Sequence, residues 1–240
     1  MKKTLLFLLI SSVVLIVSCK KDKPTQTEIP YIPTTQILST SLAGLGSHAG
    51  TPVGTPWAFP ANVKVVGKIL GGDPGKAPFI GKKSVEDWAS YVSNSPKTTW
   101  TAHGIGVFVT LYMKLHNTSP SPTSFILPAG LMFCNDSTPI DTAQTGVIVV
   151  SDTIVIPGGD TLNISLKSFC CNPSRHVPTS LAIYKPQVVT TNDQVVHLIA
   201  ALKGKTTLPT HESEILSYIW QIVGGTPLTT ADLATIASWQ

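Results

Sequence analysis

Charge is scarce in this sequence, and arginine is almost absent. Only 12% of the 240 residues are Asp, Glu, Lys or Arg, about half the usual share in a soluble domain, and Arg175 is the single arginine. Surfaces that bind nucleic acid need a stripe or patch of basic side chains. The composition therefore excludes nucleic acid as a partner and predicts a large buried core under a surface of Ser, Thr and Asn.

The motifs of several catalytic and metal sites are also missing. The histidines form no His-Glu-x-x-His pattern and the cysteines form no Cys-x-x-Cys pattern, which are the spacings that zinc sites favour. The glycine-rich stretches lack the lysine and hydroxyl spacing of a nucleotide-binding loop, and there is no nucleophile elbow. We therefore expect no enzyme, no catalytic residue, no metal ion and no cofactor.

A hydrophobic run stands near the start of the chain. Lys2 and Lys3 precede an apolar or small-residue stretch from Leu5 to Val17, an arrangement typical of a secretory signal. The run is shorter than the roughly 20 apolar residues of a transmembrane helix. We predict a signal peptide over residues 1–18.

This signal ends in Ile16-Val17-Ser18-Cys19, which resembles the lipobox of bacterial lipoproteins. The resemblance implies that Cys19 carries a diacylglycerol and an amide-linked acyl chain such as palmitate, and more than one acyl chain gives stable membrane attachment. The Cys-Lys-Lys-Asp start is similar to lipoproteins of the bacteroidete group. It implies a lipid-anchored protein of the outer membrane or cell surface, facing the periplasm or the exterior. The alternative is a simple export signal that ends near a cysteine.

A polar segment separates this start from the rest of the chain. Residues 19–40 are rich in Lys, Thr and Pro with little to bury, and such segments act as semi-extended spacers. We predict a lipidated N-terminus with a flexible tether, followed by a body of about 200 residues, enough for one domain with an appendage or for two small domains.

The middle of the chain, residues 41–190, is typical of β-strands. Residues 106–116 alternate between an apolar face and a mixed face with the period of a strand. Further short strands separated by Pro and Gly turns predict an immunoglobulin-like antiparallel β-sandwich, with expected strands at residues 62–70, 125–134, 146–150, 153–156, 161–170 and 184–189. One inserted helix is expected at residues 84–92.

The last fifty residues change to a helical period. Asn192 or Thr191, Thr210 and Thr229 are candidate N-caps, and Gly204 and Gly224 are candidate stops. We predict a three-helix cap over residues 191–240, with helices at 193–203, 211–223 and 230–238. Helices of this length do not hold alone, so they must pack on one another or on the sheet.

Three cysteines remain in the body, and export would place them in an oxidising compartment, which favours disulfides. Alternation along residues 161–170 puts Cys170 on the buried face and Cys171 on the other. We predict a Cys134–Cys170 disulfide, with Cys171 as the alternative partner. A competing interpretation pairs a cysteine nucleophile with His176. Arg175 is interpreted as a side chain that holds the following loop, or else contributes to a ligand site.

Two further patterns concern the surface. Four short segments resemble the Asp-Ser/Thr-hydrophobic sequon that bacteroidete-type bacteria O-glycosylate. They begin with Asp136-Ser137, Asp141-Thr142, Asp152-Thr153 and Asp160-Thr161. The resemblance implies sugars on Ser137, Thr142, Thr153 and Thr161. Trp57 and Trp100 are candidates for a sugar-stacking platform, although large aromatic side chains mostly serve cores.

Together these patterns predict a lipid-anchored cell-envelope protein that acts as a non-catalytic binding or structural module. Its partners would be the membrane, through the lipid, and an envelope protein or a glycan. The alternative function is a carbohydrate-binding surface lipoprotein that uses exposed aromatic side chains.

Overall fold

The computed structural model describes residues 38–72, 99–137 and 143–240. The expected signal peptide, Cys19, nearly all of the tether, the helix at residues 84–92 and the sequon at Thr142 lie outside the described residues.

Strands are the predominant regular secondary structure of the described residues, as the sequence predicts. The eleven strands are β1 (Gly54–Pro56), β2 (Val63–Val65), β3 (Ile69–Leu70), β4 (Thr101–His103), β5 (Phe108–Asn117), β6 (Thr123–Leu127), β7 (Leu131–Asn135), β8 (Gly146–Val147), β9 (Asp152–Ile156), β10 (Thr161–Cys170) and β11 (Ile183–Thr190). Three α-helices follow: α1 (Asp193–Leu202), α2 (Glu212–Val223) and α3 (Thr230–Ser238), with a 3-10 turn at Leu208–Thr210.

The main sheet closes on itself instead of forming the two separate sheets of the expected sandwich. Six strands pair antiparallel in the order β5, β3, β11, β7, β8, β10 and back to β5. The closing pair is the longest, from Thr161 opposite His116 to Phe169 opposite Phe108. Alternation identifies strands that face a core but does not show which strands pair. The sequence alone therefore did not distinguish a closed sheet from a two-sheet sandwich.

The remaining strands attach to this ring. Strand β2 pairs with β5 and β1 with β11, while β4 runs parallel to β10. Strands β6 and β9 form a separate two-stranded ribbon. Sequence reasoning missed β1 and β4, because segments of three residues are too short to show a period.

The interior of the ring is apolar. The predicted alternation of β5 is confirmed, since Val109, Leu111, Met113 and Leu115 are buried and the residues between them are partly exposed. Leu111 lies directly opposite Leu166 of β10 in the closing pair, and both are fully buried. Burying a Leu side chain stabilises the folded state by roughly 1.5–3 kcal/mol. The apolar face shared by β5 and β10 therefore stabilises the closed ring.

The helices begin close to where the sequence places them. Asn192 caps α1 by accepting a hydrogen bond from the Val195 N–H, and Thr229 caps α3 within a capping box. The expected Thr210 cap is wrong: α2 begins at Glu212 with His211 as its N-cap residue, because Thr210 belongs to the preceding 3-10 turn. Among the described residues, none of the helices is both long and apolar enough to cross a membrane.

Candidate ligand-binding site

The segment with the most chemistry-bearing side chains follows β10. Cys170 is the last residue of the strand, and its carbonyl accepts a hydrogen bond from Nε1 of Trp220 in α2 at 3.2 Å. The next residue, Cys171, continues the ladder, because its N–H donates to the Thr145 carbonyl at 2.9 Å. A turn then leads to Arg175, whose N–H donates to the Asn172 carbonyl.

Asn172 fixes this turn to two other segments of the chain. Its Nδ2 donates to the carbonyls of Gly44 and Gly46, at 3.1 and 2.9 Å, and its Oδ1 accepts from the Thr145 N–H at 2.9 Å. The side chain is fully buried. The side-chain amide donates through its nitrogen and accepts through its oxygen, so one residue satisfies backbone groups from both neighbouring segments. The turn is therefore held rigidly at the end of the ring.

The predicted Cys134–Cys170 disulfide is wrong, since no disulfide joins these cysteines in the structure. The register explains why. Cys134 lies opposite Lys185, whose side chain is half exposed, whereas Cys170 lies on the interior face with Ile164 and Leu166. Directly opposed residues of a sheet share a face, so the two thiols point to opposite faces of the ring.

Cys171, the alternative partner, is too far from Cys134 for a bridge. Extending the registers of β8 with its two neighbours places Thr145 between Cys134 and Cys171 on the outer face. Residues two strands apart are separated by about 10 Å, because neighbouring strands lie about 4.8 Å apart. Disulfides need Cα atoms within about 7 Å, so neither predicted bridge fits this fold.

The thiols are also poorly suited to nucleophilic chemistry. Cys171 is fully buried; its burial, reinforced by the neighbouring thiols of Cys170 and Cys134, raises its pKa well above 9.0. Burial likewise raises the pKa of Cys170. Because the thiolate is the reactive form, these groups stay protonated and unreactive at neutral pH. His176, the proposed partner, is exposed, and its carbonyl accepts a hydrogen bond from the Gln144 N–H.

A cavity of about 110 Å³ lies beside this turn. Its wall brings together β7 and β11, the residue before β8, the turn after β10 and the glycine-rich segment before β1. The lining residues are Gly44, Gly50, Thr51, Pro52, Cys134, Asn135, Asp136, Thr145, Arg175, Lys185 and Gln187. The volume is small beside the roughly 300–1,000 Å³ of pockets for drug-sized ligands. It suits a small molecule or the end group of a larger one.

The lining of this cavity is rich in hydrogen-bond donors. Arg175 and Lys185 supply cations, and Lys185 Nζ lies 2.7 Å from Asp136 Oδ1. Asn135 is buried; its Oδ1 accepts from the Ser137 N–H at 2.8 Å, whereas its Nδ2 has no hydrogen-bond partner within the described structure. Asn135 lies opposite Tyr184, on the face of β7 that Cys134 and Lys185 do not share.

A second, larger groove adjoins the cavity and shares Asp136 and Lys185 with it. Its volume is about 490 Å³, and its lining is more apolar, with Phe59, Ile69 and Pro186 among its residues. Phe59 packs edge to face against Trp57, with ring centroids 5.0 Å apart. The Asp136–Lys185 ion pair therefore stands between a small polar cavity and an apolar groove; we call the two together the cleft.

The predicted aromatic platform is divided between two places. Trp57 is partly buried against the core and contacts Phe59 of the groove through its ring. Trp100 precedes β4 and packs edge to face on Tyr112 of β5, with centroids 5.1 Å apart. The remaining candidate, Arg175, lines the cavity.

The predicted glycosylation sites also differ in exposure. Thr153 and Thr161 are exposed, and Thr161 lies at the start of β10. Ser137 is partly buried, and its hydroxyl accepts a hydrogen bond from the Ile183 N–H at 2.8 Å. The neighbouring Asp152 carboxylate contacts Nδ1 of His103 at 2.9 Å and accepts from the Gly104 N–H.

Sequence reasoning missed Asn135, Asp136 and Lys185 as parts of a site. Only the alternation of β7 and β11 carried any signal of them, and it does not reveal that these two strand ends meet. Groups of three or more metal-ligating side chains do not occur in the described part of the chain. Comparison of the chain with models of protein families, with curated proteins and with solved structures finds no match in any of the three.

Proposed function

We propose that this chain is a lipid-anchored cell-envelope protein whose β-rich body is a non-catalytic binding module, with the cleft as its binding site. The observation that carries this proposal is the placement of the Asp136–Lys185 ion pair between the donor-lined cavity and the apolar groove. Binding sites are concave and mostly apolar, with a few polar groups that fix ligand orientation. The cleft combines both features on one side of the ring.

The anchoring part of the proposal rests on the N-terminal residues. A basic segment, an apolar run and Cys19 stand in the order of a lipoprotein signal. The Pro-containing segment after Cys19 would act as a spacer between the membrane and the body. This arrangement would leave the cleft accessible to molecules of the envelope.

The anchor is tested by expressing the wild-type chain and a Cys19→Ser variant in a bacterium that processes lipoproteins, with an alkyne-labelled fatty acid in the medium. We expect the wild type to take up label and to sediment with membranes, and the variant to do neither. Cys134→Ser is the matched control and should behave like the wild type. Equal labelling of wild type and Cys19→Ser would rule out the anchor.

A carbohydrate-binding function is the second candidate, and the groove favours it. A volume of about 490 Å³ beside the Phe59 ring is sufficient for a sugar unit, and aromatic faces contribute substantially to recognition. A glycan array with wild type, Trp57→Ala and Trp100→Ala tests it. Loss of binding in Trp57→Ala alone supports the groove; loss in Trp100→Ala alone points elsewhere; no binding by the wild type removes this candidate.

The O-glycosylation sequons belong to the same proposal. The exposure of Thr153 and Thr161 supports their use, since an added sugar is bulky and polar. We expect both to carry sugar in the native host and Ser137 to carry none. Peptide mapping of the native chain would contradict this if both threonines were unmodified.

A further inference from the structure

We propose that the outer face of strands β2, β5 and β10 is a second binding surface, and that its partner is an anionic polysaccharide built from uronic acid units. We call this surface the basic face. Its side chains are three lysines, two aromatic residues and three small polar residues: Lys64, Lys114, Lys167, Trp100, Tyr112, Thr110, Asn163 and Ser165. None of them lines the cavity or the groove, so this inference goes beyond the cleft and does not depend on it.

The register of the strands places these side chains on one side of the sheet. In β5, every second residue from Val109 to Leu115 points into the ring, so the residues between them point outward. The directly opposed pairs are Thr110 with Lys167, Tyr112 with Ser165, Lys114 with Asn163 and His116 with Lys64. Directly opposed residues share a face, and β2 and β10 flank β5 on its two sides. The basic face therefore extends over three neighbouring strands.

The charge of the basic face determines the sign of its partner. Lys64 and Lys167 are exposed and Lys114 is partly exposed, and within the described residues none of these ammonium groups has an ion-pair or hydrogen-bond partner. None of the outward-facing residues of the three strands is Asp or Glu, and Asp160 lies in the turn before β10. Two copies of this face would repel each other, whereas an anionic partner is attracted.

The spacing of the lysines favours a partner with repeated charges over a single small anion. From the strand rise and the distance between strands, the Cα atoms of Lys64 and Lys114 are about 8 Å apart and those of Lys114 and Lys167 about 14 Å apart. Two ammonium groups meet at one carboxylate only if their side chains bend towards each other against their mutual repulsion. A chain that carries a carboxylate on each unit meets every lysine without such bending.

The uncharged side chains between the lysines favour a polysaccharide among the anionic polymers. Thr110, Asn163 and Ser165 make no side-chain hydrogen bond within the described structure, and hydroxyl and amide groups both donate and accept, as sugar hydroxyls do. Trp100 packs edge to face on Tyr112, with ring centroids 5.1 Å apart and an interplanar angle of 83°. Both rings are partly exposed, so they offer apolar surface to a sugar ring. A uronic acid chain therefore uses all three kinds of side chain on this face.

Fluorescence anisotropy tests this surface directly. The full-length chain, purified from membranes in nonionic detergent, is titrated into fluorescein-labelled oligogalacturonate and, separately, oligomannuronate. We expect at least one of the two probes to show a saturable rise in anisotropy, and a labelled neutral maltooligosaccharide of equal length to show none. Raising the salt from 50 to 500 mM should weaken binding at least about tenfold, because exposed charges are screened within a few ångströms at high salt.

Two double variants of equal net charge locate the binding. Lys114→Gln/Lys167→Gln removes two charges from the basic face and should weaken uronate binding about tenfold, since each exposed ionic contact contributes modestly. Lys68→Gln/Lys203→Gln removes two exposed charges elsewhere, at the groove and after α1, and should change binding less than about twofold. Trp100→Ala should weaken binding about threefold or more. The lysines are exposed or partly exposed, so the two double variants should unfold at the same temperature as the wild type.

The outcomes separate this inference from the other proposals. Binding of neither uronate, or equal losses in the two double variants, would overturn it, and a loss confined to Lys68→Gln/Lys203→Gln would move the binding to the groove. Tighter binding of a single-stranded DNA oligonucleotide of equal charge would make nucleic acid the partner instead. Sedimentation of the Cys19→Ser variant with phosphatidylglycerol vesicles, without uronate binding, would make it a membrane surface. The Cys19 labelling and the Trp57→Ala array judge the anchor and the groove independently of this face.

Discussion

The residues at the end of β10 and in the turn after it look like one motif in the sequence. In the fold, each of them has a separate role. Cys170 and Cys171 are buried on opposite faces of the ring, Asn172 ties backbone segments together, and Arg175 lines the cavity. Adjacent thiols beside an arginine and a histidine resemble an active site in a sequence. In the fold, the polar side chains of this segment that contact other parts of the molecule are the Asn172 amide and the Arg175 guanidinium. The thiols pack as small apolar groups.

The role of Asn172 can be tested by truncation. Asn172→Ala removes hydrogen bonds to two carbonyls and one N–H that are shielded from water, and unpaired groups of this kind cost about 1–3 kcal/mol each. We expect the free energy of unfolding, measured by urea denaturation, to fall by about 3 kcal/mol or more. Asn163→Ala, a change on the partly exposed face of β10, should cost less than about 0.5 kcal/mol; equal losses would contradict the role of Asn172.

The burial of Cys171 predicts how stability depends on pH. The folded state keeps the thiol protonated because its pKa lies well above 9.0, while the unfolded chain ionises near the ordinary value. The contribution is therefore complete below about pH 8.5 and is lost as pH rises, with a limiting slope of about 1.4 kcal/mol per pH unit. Urea midpoints of wild type and Cys171→Ala, compared from neutral to alkaline pH, should diverge in slope. If the two plots of urea midpoint against pH were parallel, the folded state would not hold the Cys171 thiol in its protonated form.

At the scale of elements, the sequence predicts what is periodic and local. The bounds of β10 agree with the predicted 161–170, because alternation is regular and a Pro-Gly-Gly turn precedes it. Helix α1 follows its Asn192 cap in the same way. The parallel pairing of β4 with β10 and the closure of β5 on β10 depend on contacts between distant residues, and no local pattern encodes them.

The cavity was beyond sequence reasoning for the same reason. Its wall joins the segment at residues 44–52 to residues as distant as Lys185, and each contributing stretch is locally an ordinary strand end or turn. Arg175 was noted because it is the single arginine. Nothing in the sequence distinguishes Asn135, because only the fold shows that its side chain is buried and that its Nδ2 has no hydrogen-bond partner among the described residues.

Closure of the ring predicts a difference between two glycines. Gly106 adopts φ +144°, and a Cβ there would collide with the Ser168 backbone on β10; Gly159 has φ +71° with no atom within 4 Å of such a Cβ. Gly159→Ala should cost only about 1 kcal/mol of backbone strain, and Gly106→Ala at least about 2 kcal/mol more, because it also pushes apart the strands that close the ring. Thermal unfolding of both variants checks this, and similar losses would argue against tight packing at Gly106.

At the scale of the whole molecule, the burial of the three thiols makes the structure compatible with the proposed export and anchoring of the chain. Export would expose the chain to an oxidising compartment, where paired cysteines normally form disulfides. Cys134, Cys170 and Cys171 are all buried. Burial raises the pKa of Cys170 and Cys171, which slows their reaction with oxidants. The fold can therefore keep its cysteines reduced in such a compartment, which removes the need for the bridge expected from the sequence.

The most direct test of this account is the intact mass of the native chain, extracted from membranes and alkylated only after unfolding. We predict a mature chain that begins at Cys19 with a diacylglycerol and an acyl chain, and three alkyl groups on Cys134, Cys170 and Cys171. A chain that retains residues 1–18, or that lacks lipid, would contradict the anchor. A mass with only one alkyl group would show a disulfide and contradict the arrangement of strands that separates the thiols.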